Sequence, residues 1–399
     1  MTERRLRILV LSWHYPTSAA PLRGLWVERM VDAAAAAADV RVIVPTPWVP
    51  PLVPMRSLSR YRHIPQREMR GGVEIHYPRV LGSVEHFTDG IDARLSLPSV
   101  LALARRLHHA APFDLIHAHF VYPEGVVASA IARALGIPVV TSEHALWTPW
   151  LVDRARIGRQ VEAALPQIRL VTAVSGFLRE DIDGFAKGRV KTQVLPNVLD
   201  DTIFTAAARS RDPHELLYVG MIRRVKRVDV LLRALAEARH VLPALHLRIL
   251  SSNVYRTYAR DVREIHELVR TLGLEGAVRF EAGVEPPAVA EAMRRCGFVV
   301  VSSTRRETFC SVAAESLACG TPLVLTRCGG PEEFVTTEDG VLVAPDDPAA
   351  FAEGILEAMR RRDTFQAEGM RGRIVARFGR AAWRERAMAM YEAMAGVGS

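Results

Sequence analysis

The sequence predicts an α/β protein of two doubly wound parallel-sheet domains, and three observations predict it. Short β-branched runs alternate with longer helical patterns along the whole chain, as in repeated βαβ units. The 399 residues are more than one domain commonly holds, at roughly 100–200 residues each. Residues that are 49% apolar, 24% charged and 7% aromatic supply ordinary core material, which excludes a disordered or fibrous chain.

The strands of the first half are expected at Arg7–Ser12, Val40–Val44, Leu115–His117, Pro138–Ser142 and Leu170–Val174. A second series follows at Leu216–Val219, Leu245–Leu250, Val278–Glu281, Phe298–Ser302, Pro322–Leu325 and Val341–Val343, with helices such as Asp229–Arg239 and Ser311–Ala318 between them. No periodic segment is readable from Pro196-Asn197 to Asp212-Pro213, so a linker is expected near 200–213. The expected division is a first domain 1–205, a second domain 206–380, and a last helix within 381–399. Over Ala381–Met394 the residues Trp383, Ala387, Met390 or Tyr391, and Met394 fall on one stripe. That stripe is expected to pack back on the first domain.

Arg4, Arg5 and Arg7 before Ile8–Leu11 imitate a secretory leader, but the apolar run is short and Trp13-His14-Tyr15-Pro16 stops it, so a buried first strand is expected. No stretch reaches the roughly 18 apolar residues of a membrane helix. The four cysteines, Cys296, Cys310, Cys319 and Cys328, contain no C-x-x-C pair and suggest neither a zinc cage nor a disulfide framework. The formal charge of +8 is uneven, with 24 basic against 18 acidic residues in 1–200 and 28 against 26 in 201–399. Segment 50–70 carries Arg56, Arg60, Arg62, Arg67 and Arg70 against Glu68 alone. Such a cluster suits a nucleic acid, an anionic membrane face or a phosphate-bearing substrate, and equally a solvated loop.

In parallel sheets, ligands sit beyond the carboxyl ends of the strands, so the chemistry is sought in the loops that follow them. Glu307 lies in one such loop; Thr308 to Ser311 open a helix; Glu315 falls one turn inside it, and Gly320 ends it. The N–H groups of Phe309, Cys310, Ser311 and Val312, at the positive end of the helix dipole, suit a diphosphate. Arg223, Arg224 and Lys226 follow the strand Leu216–Val219 and can neutralise a diphosphate leaving group. In the first half, His119 and His144 end strands and are read as imidazoles facing the ligand. Arg23 and Gly24 stand in the loop after the first strand. Asp181-Ile182-Asp183 imitates a metal motif but lies inside a helical stretch and is set aside, and no metal site is expected.

Together these residues resemble a known family. Glu307-x7-Glu315, Ala318-Cys319-Gly320-Thr321-Pro322 and Gly329-Gly330-Pro331-Glu332-Glu333 look like the second-domain signature of the retaining GT-B glycosyltransferases of family 4. Asp114-Leu115-Ile116-His117-Ala118-His119, Ala173-Val174-Ser175 and Leu195-Pro196-Asn197 with Asp200 and Phe204 resemble its first-domain and linker segments. Tyr15-Pro16, Val44-Pro45-Thr46-Pro47-Trp48 and Tyr122-Pro123-Glu124-Gly125 look most like members that build cell-surface polysaccharides. The resemblance implies two Rossmann-like domains with a cleft between them, the first on the acceptor side and the second holding the nucleotide-sugar.

It further implies hexosyl transfer from a UDP- or GDP-sugar to a saccharide or lipid-linked acceptor, with retention of configuration, in cell-envelope polysaccharide or glycoconjugate synthesis. No metal or other cofactor is implied. Catalysis would fall to His119, Glu307 and Lys226. Donor contacts would come from Gly24, Arg223, Lys226, Glu307, Thr308, Phe309, Cys310, Ser311, Val312 and Glu315, and acceptor-side contacts from Arg23 and His144. The protein is expected in the cytoplasm, with 50–70 touching the inner membrane face and no nucleic-acid partner. The alternatives are a nucleotide-sugar epimerase of the same fold and a non-catalytic nucleotide- or polyanion-binding protein. Three positions depart from the family pattern: Met221 where an arginine is common, a single Gly24 where glycines pair, and Ser251-Ser252-Asn253 in place of a Gly-rich turn.

Overall fold

The computed structural model describes residues 4–50, 59–81, 90–151, 153–206, 211–251, 258–283 and 285–396. Arg56, Ser252, Asn253 and part of the expected linker lie outside them. The chain forms two compact units, Met1–Val198 with Ala381–Ser399, and Leu199–Arg380.

Unit 1 is built on strands β1 (Arg7–Leu11), β2 (Asp39–Ile43), β3 (Thr46–Pro47), β4 (Arg67–Arg70), β5 (Val73–His76), β6 (Arg79–Val80), β7 (Leu115–His119), β8 (Val139–Glu143), β9 (Leu170–Ala173) and β10 (Thr192–Val194). Eight of them form one sheet in the order β10-β9-β8-β7-β1-β2-β5-β4, and β3 and β6 form a two-stranded ribbon. Every neighbouring pair in the large sheet runs parallel except β4 with β5. A sheet covered on both faces demands continuous apolar strands, and β1 and β7 are buried almost throughout. The first strand is therefore a central strand of its sheet.

Unit 2 holds β11 (Asp212–Val219), β12 (His246–Ser251), β13 (Val278–Ala282), β14 (Cys296–Val301), β15 (Leu323–Thr326) and β16 (Gly340–Val343). Their order is β13-β12-β11-β14-β15-β16, all parallel. In both units the strand order reverses beside the first strand, between β1 and β7 and between β11 and β14. These are the topological switch points, where the loops above neighbouring strands splay apart and leave a crevice.

The division falls at Val198/Leu199 rather than at the expected 205/206. The reason is local: the N–H of Leu199 donates to the carbonyl of Phe378 at 2.8 Å, tying 199 onward to unit 2. The helix Arg380–Ala395 joins the core of unit 1 through Trp383, Ala387, Met390 and Tyr391. Its Trp383 indole donates to the Pro196 carbonyl at 2.8 Å. The β4–β5 hairpin was not anticipated, because its alternation is carried by the charged run REMR rather than by apolar residues. It uses up part of the expected arginine cluster. Arg70 pairs with Glu28 at 2.8 Å and Glu68 at 2.5 Å, Arg67 pairs with Glu74 at 3.1 Å, and Arg62 donates to the Pro50 carbonyl.

Candidate active site

The switch point of unit 2 gathers most of the residues that the sequence singled out. After β11, Gly220 at φ 150° turns the chain into the loop that carries Arg223 and Lys226. After β14, Ser302 and Ser303 lead to Glu307. Lys226 Nζ is in direct contact with Glu307 Oε1, and the Ser303 hydroxyl donates to the same oxygen at 2.5 Å. The side chains are 27% and 13% exposed, so the pair is mostly withdrawn from water. Burial alone would depress the Lys226 ammonium, but the Glu307 carboxylate holds it above its ordinary value. Burial would likewise raise Glu307, and Lys226 draws it below the usual carboxylate range.

Two backbone bonds fix that carboxylate. Glu307 N–H donates to the Cys328 carbonyl at 3.0 Å, and Gly330 N–H donates to the Glu307 carbonyl at 2.7 Å. Gly330 cannot be replaced here, since a Cβ would lie 2.1 Å from the Thr308 carbonyl oxygen. Cys310 holds φ 65°, a left-handed conformation that costs a non-glycine residue about 1–2 kcal/mol. It forms the N-cap of the helix Ser311–Ala318, whose first N–H groups are those of Ser311 and Val312. Its thiol is pushed up to about 12, by burial first and then by Glu307. Phe309 turns its ring away into a cluster with Phe334 and Phe378, at centroid distances of 5.4 and 5.1 Å, leaving its backbone at the loop. Glu315, within the helix, is buried. Arg223 stacks on Tyr258 at 4.9 Å, and Arg223 and Arg224 both line a surface cavity with Arg227 and Arg233.

The switch point of unit 1 is lined with imidazoles. His119 is fully buried, with Nδ1 at 3.2 Å from His144 Nε2, and the two rings stack at 5.5 Å. His144 Nδ1 lies 3.1 Å from Asn197 Oδ1. His117 shares its face, with ring centroids 4.5 Å apart, and bonds Tyr391 at 2.8 Å and Ser142 at 2.7 Å. Ser142 continues to Thr172 at 2.6 Å. Burial holds His117 and His144 down at about 3 and His119 well below its ordinary value, so all three rings are neutral at pH 7. His144, not His119, is the ring of this pair that reaches the surface.

Gly24 has φ 71°, and a Cβ there would lie 2.3 Å from the His14 carbonyl oxygen. The glycine is thus required by the chain's approach to itself. Arg23 sits within electrostatic reach of His14 and Glu124. Asp181 is structural: its carboxylate accepts the N–H of Trp147 at 2.5 Å and of Thr148 at 3.1 Å. The groups that sequence reasoning missed are His14, Glu124 and Glu143. Glu124 is fully buried; its Oε1 accepts the Trp13 N–H at 2.9 Å and its Oε2 has no hydrogen-bond partner. Glu143 accepts the N–H of Val121. Burial lifts each carboxyl to about 8. Glu124 stood in the quoted Tyr-Pro-Glu-Gly segment, but nothing in a single sequence says that a glutamate after proline is buried.

Among the described residues, no helix is long and apolar enough to cross a membrane. Residues 24–202 match the family described as Glycosyltransferase Family 4, and residues 200–373 match Glycosyl transferases group 1. The chain is 33% identical over 344 residues to D-inositol 3-phosphate glycosyltransferase 1 of Catenulispora acidiphila, covering 79% of this chain and 76% of the relative. It is 32% identical to the D-inositol 3-phosphate glycosyltransferase of Thermobifida fusca, over 61% of each. Sucrose-phosphate synthase from Thermosynechococcus elongatus has the same fold, with a TM-score of 0.78 at 19% identity over 99% of this chain and 100% of that one. HepE of Anabaena in complex with UDP and glucose gives 0.73 at 18% identity, over 98% and 100%. Two Rossmann-like halves with a lysine and a glutamate paired at the second switch point thus have a family: the chain belongs to the GT-B glycosyltransferases of family 4, the glycosyl transferases group 1.

Proposed function

We propose that this glycosyltransferase moves a sugar from a UDP- or GDP-sugar to a saccharide or lipid-linked acceptor, with retention of configuration and without a metal. The observation that carries the reading is the Lys226–Glu307 pair with Ser303 at the β11/β14 switch point, beside the N-terminus of the helix Ser311–Ala318. A buried ammonium whose partner is a carboxylate is ready to exchange that partner for a phosphate, and the freed Glu307 can then accept hydrogen bonds from donor-sugar hydroxyls. HepE, a structural neighbour, is described in complex with UDP and with UDP-glucose, which supports a uridine donor first.

In the step itself the acceptor oxygen bonds to the anomeric carbon, and the bond from that carbon to the phosphate oxygen breaks. The electron pair leaves on the nucleoside diphosphate, and the hydroxyl proton passes to the departing phosphate oxygen. Lys226 and the helix N–H groups would stabilise that charge, a contribution typically worth several kcal/mol when one such donor is removed. His144, over His119, would line the acceptor side. The role in cell-envelope synthesis rests on the first-half motifs, and the curated relatives named for inositol phosphate show that acceptors other than polysaccharides occur among its kin. A cytoplasmic protein in peripheral contact with the inner membrane face fits this role. Trp48 and Leu81, 52% and 54% exposed just beyond the β3–β6 pairing, support that contact.

The test is thermal unfolding against UDP, GDP, ADP and TDP in EDTA, since a ligand at 100 times its Kd adds about 2.7 kcal/mol. One nucleotide should raise the midpoint by several degrees, Glu315→Ala should weaken that response, and Lys226→Ala should chiefly lower turnover. Equal indifference to all four nucleotides would refute the reading. Conversion of the donor alone into another nucleotide-sugar would favour an epimerase instead.

A further inference from the structure

The ends of β1, β7 and β8 border an open cavity of about 240 Å³ in unit 1, walled by His14, Phe120, Tyr122, Glu143, Leu146 and Trp147 among others. The space admits one six-membered ring with its hydroxyls. None of its wall residues is an arginine or a lysine. Phe120, Tyr122 and Trp147 supply aromatic walls, a surface type on which the C–H groups of a ring can pack, and two polar groups, the His14 imidazole and the Glu143 carboxyl, stand among them. Apolar walls with a few fixed polar groups are the usual build of a small-ligand site. A phosphate in this space would meet no cation on the wall itself; Arg23, which acts on His14 electrostatically, is not among the wall residues.

One of the two polar groups is itself backed by a buried group. His14 packs on Phe120 at 4.6 Å, and its Nδ1 lies 3.6 Å from Glu124 Oε1 with no hydrogen-bond partner. Glu124 Oε2 is also without a partner, although the residue is fully buried. Leaving such groups unpaired in a buried place is unfavourable, and a closer Glu124–His14 approach would relieve it. Hydrogen bonds of this kind are often long in the empty site and tighten when the ligand is in place. Burial keeps the His14 imidazole neutral, with its pKa held at about 3, so its outer nitrogen can accept from a hydroxyl once Glu124 takes Nδ1–H.

We propose that this cavity binds the acceptor's reacting ring, that the ring is a neutral polyol rather than a phosphorylated one, and that Glu124 is a positioning residue that sets His14 to hold the attacking hydroxyl. The proposal deepens the glycosyltransferase reading by naming the acceptor class. It departs from what the names of the curated relatives would suggest for this chain.

Ligand-observed NMR on the full chain tests it, with myo-inositol, methyl α-glucoside and D-inositol 3-phosphate as probes and UDP binding measured on the same samples. At least one neutral ring should bind, and Ala145→Phe, which fills the cavity from an exposed position on its wall, should abolish that binding and leave UDP binding unchanged. Failure of every ring in a sample that binds UDP overturns the inference and leaves the donor reading standing. Binding of inositol 3-phosphate ten-fold tighter than inositol, with the advantage lost in Arg23→Gln, also overturns it. In transfer to the ring that binds, His14→Ala should raise the acceptor KM at least ten-fold, with recovery on adding imidazole. Glu124→Gln should raise it several-fold while donor hydrolysis stays constant. An unchanged acceptor KM in both variants would overturn the positioning role.

Discussion

The two switch points bury titratable groups in opposite ways. Unit 2 keeps its charges and pairs them: Lys226 and Glu307 are both ionised, each holding the other in that state. Unit 1 keeps its groups uncharged: His14, His117, His119 and His144 are held neutral, and Glu124 and Glu143 keep their protons up to about pH 8. A site awaiting a diphosphate gains from a ready cation, whereas a site awaiting hydroxyls needs neutral donors and acceptors. The ion pair holds its state over most of the pH scale, and the neutral cluster does not.

That contrast can be broken most decisively in the loop of unit 2. Gly330→Ala should lower transfer by about 100-fold or more by displacing Thr308 and Glu307, a loss of the size seen when one such charge-stabilising group is removed. Steady-state rates with donor in excess, together with an intact circular-dichroism spectrum, would check it.

The pH dependence should separate the units next. The neutral histidines bind fewer protons folded than unfolded between about 3 and 6.5, so unit 1 loses stability as pH falls below 6.5. The two carboxyls bind more protons folded than unfolded between 4.5 and about 8, so their contribution is complete below 4.5 and is lost as pH rises through 8. Unit 1 should therefore be most stable near pH 6.5. Each group contributes a slope of at most about 1.4 kcal/mol per pH unit, and Glu124→Gln should flatten the alkaline limb. In unit 2 the depressed Glu307 loses its contribution only below about 4.5 and the raised Lys226 only above about 10.5, so this pair adds no slope between pH 5 and 10. All six tryptophans lie in unit 1, which makes their fluorescence a reporter of that unit alone, with calorimetry supplying the other.

A smaller effect is expected from His117→Phe, which cuts the Tyr391–His117–Ser142–Thr172 chain, strands the buried Tyr391 hydroxyl and leaves Ser142 with Thr172 alone. Unit 1 should lose about 1–3 kcal/mol, read as a lower fluorescence midpoint with the second calorimetric transition unmoved. Smallest is Cys310→Gly, which relieves the positive φ and should stabilise unit 2 by about 1 kcal/mol, read by calorimetry.

The strand series and the paired switch-point loops were legible in the sequence because β-branched runs and helix-stop glycines are local signals. Glu307, Lys226 and the helix at Ser311 were found on that basis, and the structure brings them together. The β4–β5 hairpin was not legible, since its strands alternate through arginine and glutamate that cross-pair. Nor was the burial of Glu124 and Glu143, which depends on loops from three distant strands closing over them. The boundary was misplaced because Leu199 is assigned to unit 2 by a bond to Phe378, far away in sequence.

The helix Arg380–Ala395 gives the chain an order of events as it is made. Its Trp383, Ala387, Met390 and Tyr391 belong to the core of unit 1, yet they are translated after the whole of Leu199–Arg380. At roughly 5–20 residues per second, unit 1 waits about 10–40 s on the ribosome for its last piece. During that interval His117 has no Tyr391 to bond, and the apolar bed for Trp383 lies open. Until then the first unit lacks part of its core, whereas unit 2 comes from one continuous stretch of chain.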